Sequence, residues 1–211
     1  MYTPTFTAVD EDHARAIVAD TASGWLITAT DNGPPEATLM PILWRGNRII
    51  AHMAKANAHW RNLVDGRPGL IIVTGPEAYI SPSWYAAKTE HGKVVPTWNY
   101  LAVHLTGTVH VHQEPAWVRD AVTELTNEHE TGRPDPWHVS DAPDDYIAAQ
   151  LTAIVGIEMH IERVEGKAKL SQNRSEPDRR GVINGLRTSP DGRSGTAIAE
   201  AMHAAGHPDE A

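Results

Sequence analysis

Aromatic, hydroxyl, amide and ammonium side chains are concentrated in one stretch of the chain, between residues 78 and 100. It holds two of the seven Trp and three of the five Tyr residues. This mixture suits a flat anionic ligand, because rings contact its faces, donors contact its edges and ammonium groups meet its charge. The alternative is that the aromatic side chains belong to the core or to an interface. The candidate ligand contacts are Ser81, Trp84, Lys88, Thr97, Trp98 and Asn99.

Three of these candidates follow Pro96 in a segment that reads as a strand. Side chains alternate along a strand, so Thr97 and Asn99 share one face and Trp98 lies on the other. A hydroxyl and an amide on one face suit the polar rim of a heterocycle. Trp98 is then expected to face the core or a partner.

A second candidate site lies where a predicted strand, 49–53, leads through Lys55-Ala56-Asn57 into a predicted helix, 58–65. A helix N-terminus offers free N–H groups and a positive partial charge, which favour phosphate. Lys55 would add a full charge and His52 a donor. The alternative is that Lys55 is a solvated surface charge and that Asn57 only caps the helix.

A third group of donors follows in the segment 166–175, GKAKLSQNRS. Two lysines separated by one residue point the same way on an extended segment. Their side chains either face a ligand or belong to a solvated basic loop. The candidates in this segment are Lys169, Ser171, Gln172 and Asn173.

Histidine is abundant, with twelve residues, which raises the question of a metal or haem site. His110 and His112 would lie on one strand face about 7 Å apart, which is wide for one shared metal ion. A polar strand face rich in histidine is the better interpretation, and it includes His104. We find no metalloprotease, EF-hand, dinucleotide or phosphate-loop motif and no spacing that assigns a hydrolytic triad.

Composition excludes several other classes. The formal net charge is −9, so the global basic surface of many nucleic-acid-binding proteins is missing. There is no cysteine, and therefore no disulfide or thiolate metal site. Neither a signal sequence nor an apolar run of membrane-spanning length is found. We expect a soluble cytoplasmic protein with no membrane partner.

The elements that position these candidates alternate between strands and helices. Six or seven strands interrupted by helices predict a mainly β fold, a mostly antiparallel barrel with helices packed outside. Gly75-Pro76 is expected to be a turn, and Gly107 a bulge or a close backbone approach. Apolar residues at helical spacing mark 114–130 as an amphipathic helix, and Tyr146 is expected to point inward from the helix 144–155. The predicted helices are 12–22, 58–65, 114–130, 144–155, 178–186 and 196–205; the predicted strands are 23–30, 38–45, 49–53, 69–74, 94–112 and 156–164.

Several of these segments together resemble the signature blocks of the PaiB-type FMN-binding negative transcriptional regulators. The blocks are YISPSWY at 79–85, VVPTWNY at 94–100 and GKAKLSQNRS at 166–175. MYTPTF at 1–6, HMAKAN at 52–57 and AIVGIEMHI at 153–161 also fit. The resemblance covers residues 1–186, which we take as one FMN-binding domain followed by a polar, Ala-rich tail, 187–211.

The resemblance implies a split β-barrel, similar to flavin reductases and pyridoxamine-phosphate oxidases, with helices packed outside. It also implies a homodimer with FMN at the interface. Residues 52, 55 and 57 would meet the phosphate, with Lys55 where arginine is expected in relatives. The 81–99 and 169–173 sets would surround the ring or the ribityl chain.

Three functions follow from this resemblance. The first is a negative transcriptional regulator, for which direct DNA contact is expected to be weak and salt-sensitive because of the net charge. The second is a flavin-dependent oxidoreductase that uses NAD(P)H and a small substrate. The third is a haem-binding split barrel with His52, His104 or His110 as an axial ligand. Whether the chain is an enzyme, and through which catalytic residues, is left open by the sequence.

Overall fold

The computed structural model describes residues 1–189 and 192–206. Seven strands lie within these ranges: β1 (Ala8–Val9), β2 (Ser23–Thr28), β3 (Glu36–Arg45), β4 (Arg48–Ala54), β5 (Arg67–Ile80), β6 (Thr97–His112) and β7 (Ile154–Lys169). Seven α-helices accompany them: α1 (Glu11–Thr21), α2 (His59–Asn62), α3 (Ala87–Glu90), α4 (Pro115–Glu130), α5 (Asp144–Leu151), α6 (Glu176–Thr188) and α7 (Gly192–Ala204).

The strands form one sheet in the order β1-β7-β4-β3-β2-β5-β6, and β6 also pairs with β7. The strand order therefore returns on itself, as in a barrel. β2 runs antiparallel to β3 and to β5, and β4 runs antiparallel to β3 and to β7. The predicted antiparallel sheet is confirmed.

The chain divides into two compact units, each built from separated segments. Unit 1 comprises residues 1–17, 74–103 and 165–211, and unit 2 comprises 18–73 and 104–164. Strands β5, β6 and β7 each continue from one unit into the other. The candidate residues are consequently divided: 52–57 lie in unit 2, and 81–99 and 169–173 lie in unit 1.

Unit 2 buries the inner face of its strands under α4. Leu43 and Ile50, from neighbouring strands, form one cluster with Ala121 and Leu125 of the helix, and Trp117 packs against it. The predicted helical spacing of α4 is confirmed. Removing these apolar side chains from water is the main stabilising contribution of this layer.

Unit 1 buries the facing sides of α6 and α7. Val182 and Leu186 of α6, and Ile198 and Met202 of α7, are almost completely inaccessible to solvent. The Ala-rich segment of the predicted tail is therefore a packed helix whose apolar side belongs to the core of unit 1. The boundary expected at residue 186 remains a prediction.

Three expectations about local structure are wrong. The helix expected over 58–65 is only His59–Asn62, because Leu63 is already extended (φ −69°, ψ 111°). Gly75-Pro76 is not a turn, since β5 continues through it; Gly75 instead permits the close approach of Leu101. Tyr146, expected to point inward from α5, is 56% exposed.

The close backbone approach expected at Gly107 is confirmed. A Cβ there would lie 1.9 Å from the carbonyl oxygen of His160, so only glycine fits. Within the described residues, no helix is both long enough and apolar enough to cross a membrane.

Candidate functional site

The turn that follows β4 presents a lysine held on a rigid backbone. The N–H of Lys55 donates to the carbonyl of Ala153 (2.8 Å). The carbonyl of Lys55 accepts from the Trp60 indole (3.0 Å) and from the Arg61 guanidinium (2.8 Å). The Lys55 side chain is half-buried, and within the part of the chain described here its ammonium makes no hydrogen bond or ion pair. A fixed, unpaired cation of this kind can bind an anion.

Arg61 is a second cation at the same turn, and the sequence reasoning missed it. Besides its bond to the Lys55 carbonyl, its guanidinium lies over the Trp60 ring, 5.1 Å from the centroid. Trp60 and Arg61 follow the HMAKAN block within four residues of its end, and an aromatic–arginine pair so close to it was the available signal.

Asn57 belongs to a chain of hydrogen bonds that positions α2. Its side-chain oxygen accepts from the N–H of His59 (3.0 Å), and its amide donates to the Thr38 hydroxyl (3.1 Å). The buried His59 ring bridges Thr38 and Thr28, with 2.8 Å to each hydroxyl. Both polar groups of Asn57 are therefore engaged, but the N-cap of α2 is Ala58, so the capping role expected of Asn57 is wrong and its bonds instead anchor the residues at the start of the helix.

His52 lies on β4, two residues before the strand ends. Its Nδ1 is buried and has no hydrogen-bond partner within the described residues. Burial lowers the pKa of His52, so the ring is neutral at neutral pH. It could contribute a hydrogen bond to a ligand but no charge.

The candidate residues of unit 1 are centred on Lys169. Its ammonium donates to the Thr97 hydroxyl (2.5 Å) and to the Trp98 carbonyl (2.6 Å). Burial lowers the pKa of Lys169, and the nearby Lys167 lowers it further, while Tyr100 opposes both. The structure thus brings together, within one chain, two segments that are about 70 residues apart in sequence.

A second contact joins the same two segments. Asn99 is fully buried, and its oxygen accepts from the Ser171 hydroxyl (3.1 Å). Its amide nitrogen contacts the Met202 sulfur at 3.3 Å. Ser171 has a positive φ of 59°, which is uncommon outside glycine and asparagine and indicates a conformation imposed by its surroundings.

Four other candidates serve local structure or remain exposed. Gln172 bonds the backbone of its own loop, at Leu170 and Ala168. Ser81 caps the short 3₁₀ turn 82–84. Lys88 donates to Ser83 at an exposed position, and the exposed Asn173 has no side-chain partner among the described residues. These contacts leave Lys88 and Asn173 the most accessible to a ligand or partner.

The two candidate tryptophans lie in different environments. The Trp84 ring packs on α6: a Cβ at Gly185 would lie 2.3 Å from it. Trp98 is 51% exposed and meets the half-exposed Tyr79 edge-on, with 6.4 Å between ring centroids. The predicted alternation of β6 is confirmed, but the assignment of its faces is not: Asn99 is buried and Trp98 is exposed, so Trp98 does not face the core.

The histidine-rich face of β6 is bound to carboxylates. His110 contacts Asp65 at 3.2 Å, and His112 contacts the buried Glu158 at 3.0 Å. Glu158 also pairs with Arg48 (2.9 Å). Within residues 1–189 and 192–206, no group of three or more His, Asp or Glu side chains is arranged to hold a metal ion.

Comparison with known sequences identifies relatives over most of the chain. Residues 1–163 match the family model described as "Putative FMN-binding domain". The protease synthase and sporulation protein PAI 2 of Bacillus subtilis is 31% identical over 191 residues, covering 88% of this chain and 89% of that protein. An uncharacterised protein of Aspergillus fumigatus is 40% identical over 154 residues; these are 65% of this chain but only 58% of its own length.

Comparison with solved structures shows the fold. The flavocytochrome Anf3 of Azotobacter vinelandii has a TM-score of 0.56 at 17% identity, covering 77% of this chain and 69% of that one. An FAD and haem binding protein of Mycobacterium smegmatis has a TM-score of 0.58 at 16% identity, covering 76% and 71%. At such identities the likeness concerns the fold alone, and the expected flavin-type split barrel is confirmed. By sequence and fold, this chain belongs to the PaiB-type family of FMN-binding split-barrel proteins, for which FMN is the expected cofactor.

Proposed function

We propose that this protein is a homodimer that binds FMN, with the phosphate at the turn containing Lys55, and that it acts as a negative transcriptional regulator. The observation that carries the proposal is the half-buried Lys55 ammonium, which has no partner within the described residues, on a turn that Arg61 and Trp60 hold in place. A phosphate monoester carries close to two negative charges at neutral pH, and two cations on one turn match it.

The residues of this turn fit a phosphorylated cofactor. Lys55 lacks the planar fork of arginine, so by itself it would bind phosphate as a point charge. Arg61 supplies a fork next to it. The buried Nδ1 of His52, with no partner in the described residues, is a further group that a ligand could satisfy. The short helix α2, with only four residues, adds little dipole, so the side-chain cations carry the attraction.

The Lys169 set of unit 1 is proposed to contact the flavin ring or the ribityl chain of FMN. Lys169 and Thr97 offer an ammonium and a hydroxyl in one place, while the buried Asn99 would support this group from behind through Ser171. FMN, when bound, supplies a ring that can accept a hydride or single electrons. The placement of FMN at the dimer interface is likewise part of the proposal and rests on the family resemblance.

We propose that the regulatory role does not require tight, direct binding to DNA. The net charge of −9 opposes the approach of DNA, so direct binding is expected to be weak and salt-sensitive.

The experiment is a visible spectrum of the purified protein before and after addition of FMN and desalting, combined with light scattering. Retained flavin absorption and a mass of two chains are expected. Protein that is colourless after desalting and shows no saturable binding of FMN would refute the cofactor proposal. A mass of one chain would refute the dimer.

Experiments on the same purified protein distinguish the proposed regulatory function from the alternative, a flavin-dependent oxidoreductase. A regulator is expected to leave bound FMN oxidised in the presence of NADH or NADPH, and to bind DNA weakly and in a salt-sensitive way. Rapid bleaching by either nicotinamide would favour the oxidoreductase. Tight, sequence-specific DNA binding at physiological salt would contradict the indirect route.

A further inference from the structure

Between the helices α6 and α7 lies an open cavity of about 370 Å³ that is unusually basic for an acidic protein. We propose that it binds a small oxyanion with two or more negative charges, such as a phosphoryl compound or a polycarboxylate. Its volume lies in the range of small-molecule sites. The charged and polar residues that line it are Glu176, Arg179, Arg180, Asn184, Arg187 and His203.

The charge of the lining is positive and only partly compensated. Arg180 pairs with Glu176, the only carboxylate among the described lining residues, at 2.5 Å. Arg187, one helical turn beyond Ile183 on the same side of α6, makes no ion pair within the described residues. Among the lining residues that the structure describes, three arginines thus accompany one carboxylate, in a chain whose net charge is −9. Guanidinium forks match the oxygens of phosphate and carboxylate groups.

Arg179 gives this cavity a fixed cation. It is only 4% exposed and donates to the carbonyls of Leu170 (3.0 Å), Met202 (2.8 Å) and Gly206 (2.7 Å). These acceptors are neutral, and the neighbouring Glu176 is already paired with Arg180. A buried cation without a carboxylate of its own is costly, and an anion in the cavity would offset that cost.

The cavity is separate from the residues expected to bind FMN. None of the candidate FMN contacts lines it, and it lies beyond residue 163, where the family-model match ends. The inference therefore does not depend on the proposed FMN site. Anion binding at the cavity should be retained when one equivalent of FMN is present.

The test is isothermal titration of the full chain with inorganic pyrophosphate and, separately, with citrate, at constant ionic strength, in the absence of FMN and in the presence of one equivalent of FMN per chain. Saturable binding of at least one probe is expected, with Kd below about 1 mM. Arg187→Gln and Arg180→Gln should each weaken it by about tenfold, because each removes one charged fork.

Arg15→Gln is the matched control. Arg15 pairs with Glu11 one turn earlier in α1, as Arg180 pairs with Glu176 in α6, and it lines no part of the cavity. This variant should bind like the unaltered protein. The proposal is overturned if neither probe binds, if Arg187→Gln binds as tightly as the unaltered chain, or if one equivalent of FMN abolishes binding. The stronger of the two probes identifies the phosphoryl or the carboxylate class.

Discussion

At the scale of single residues, the proposed phosphate site of unit 2 depends on how Lys55 and Arg61 are held. The backbone of Lys55 is bonded on both sides, and Arg61 is fixed between the Lys55 carbonyl and the Trp60 ring. Arg61 therefore has little side-chain entropy left to lose on binding, whereas the Lys55 side chain, unpaired within the described residues, must still be ordered. In the proposed site, Arg61 would offset part of what lysine loses relative to the arginine expected in relatives.

Lys55→Ala and Arg61→Gln are expected to weaken FMN binding while leaving riboflavin binding nearly unchanged, because riboflavin lacks the phosphate. A charge-assisted hydrogen bond contributes about 1.5–3 kcal/mol, so a loss of about 10-fold to 100-fold in FMN affinity is expected for Lys55→Ala. The exposed Arg61 should cost less, about 3-fold to 10-fold. Fluorescence quenching titrations with both flavins measure the difference.

Arg133→Gln serves as the control for the loss of one positive charge. Arg133 is exposed and pairs with Glu130 at the end of α4. Its replacement should change neither affinity. Equal losses for FMN and riboflavin in the Lys55 variant would show that the turn does not contact the phosphate.

At the scale of elements, the contact between the 82–84 turn and α6 depends on two glycines. A Cβ at Gly181 would lie 2.0 Å from the Trp84 carbonyl oxygen, and one at Gly185 would lie 2.3 Å from the Trp84 ring. Glycine normally lowers the stability of a helix, but here it is required because the turn approaches the helix closely. Trp84 is thus held by packing on α6.

Gly185→Ala is expected to destabilise the protein, which is the reverse of the usual effect in a helix. In an unobstructed helix, alanine in place of glycine stabilises by about 0.5–1 kcal/mol. Here the added methyl group displaces the Trp84 ring, and overpacking should cost about 1–3 kcal/mol. Urea unfolding measures the change.

The exposed helical position Ala148 in α5 provides the comparison. Ala148→Gly should lower the free energy of unfolding by about 0.5–1 kcal/mol, the usual difference in helix propensity between the two residues. A Gly185→Ala protein more stable than the unaltered one would mean that Trp84 does not pack on α6 as described.

At the scale of the whole molecule, several titratable groups share one direction of pKa shift. Burial lowers the pKa of His52 and of His59, opposed at His59 by Glu36. The backbone N–H of Val111 lowers the pKa of Asp65. The bonds from Arg48 and His112 outweigh burial and lower the pKa of Glu158. In each case the folded state binds protons less readily than the unfolded state.

The free energy of unfolding is therefore expected to decrease in two steps as the pH is lowered. Each lowered pKa contributes stability that is complete above the unfolded-state value and is lost as pH falls through the folded-state value. The two histidines begin to reduce stability below pH about 6.5, and the two carboxylates below pH about 4.5. Thermal unfolding between pH 4 and 8 measures this. A double variant, His52→Gln with His59→Gln, should lose the first step; a constant Tm between pH 5 and 7 in the unaltered protein would contradict the expectation.

Much of the fold could be predicted because local patterns determine it. The apolar spacing of α4, the alternation of β6 and the close approach at Gly107 each depend on neighbours in sequence or on glycine itself. The family, and with it FMN as the expected cofactor, could also be predicted, because the signature blocks of the family are contiguous segments of sequence. The length of α2 was not predictable, because the helical pattern continues to residue 65 in the sequence while the backbone is already extended at Leu63.

The sequence by itself determined the elements, the family and the residue types that can meet a phosphorylated ring. Only the tertiary structure decided which of those residues meet: Lys169 with Thr97, and Ser171 with Asn99. It also placed Arg61 against Lys55 and formed the basic cavity from two helices. The physical reason is that a hydrogen bond or a charged cavity depends on distances of a few ångströms between segments that are distant in the chain, and these distances exist only after the chain has folded.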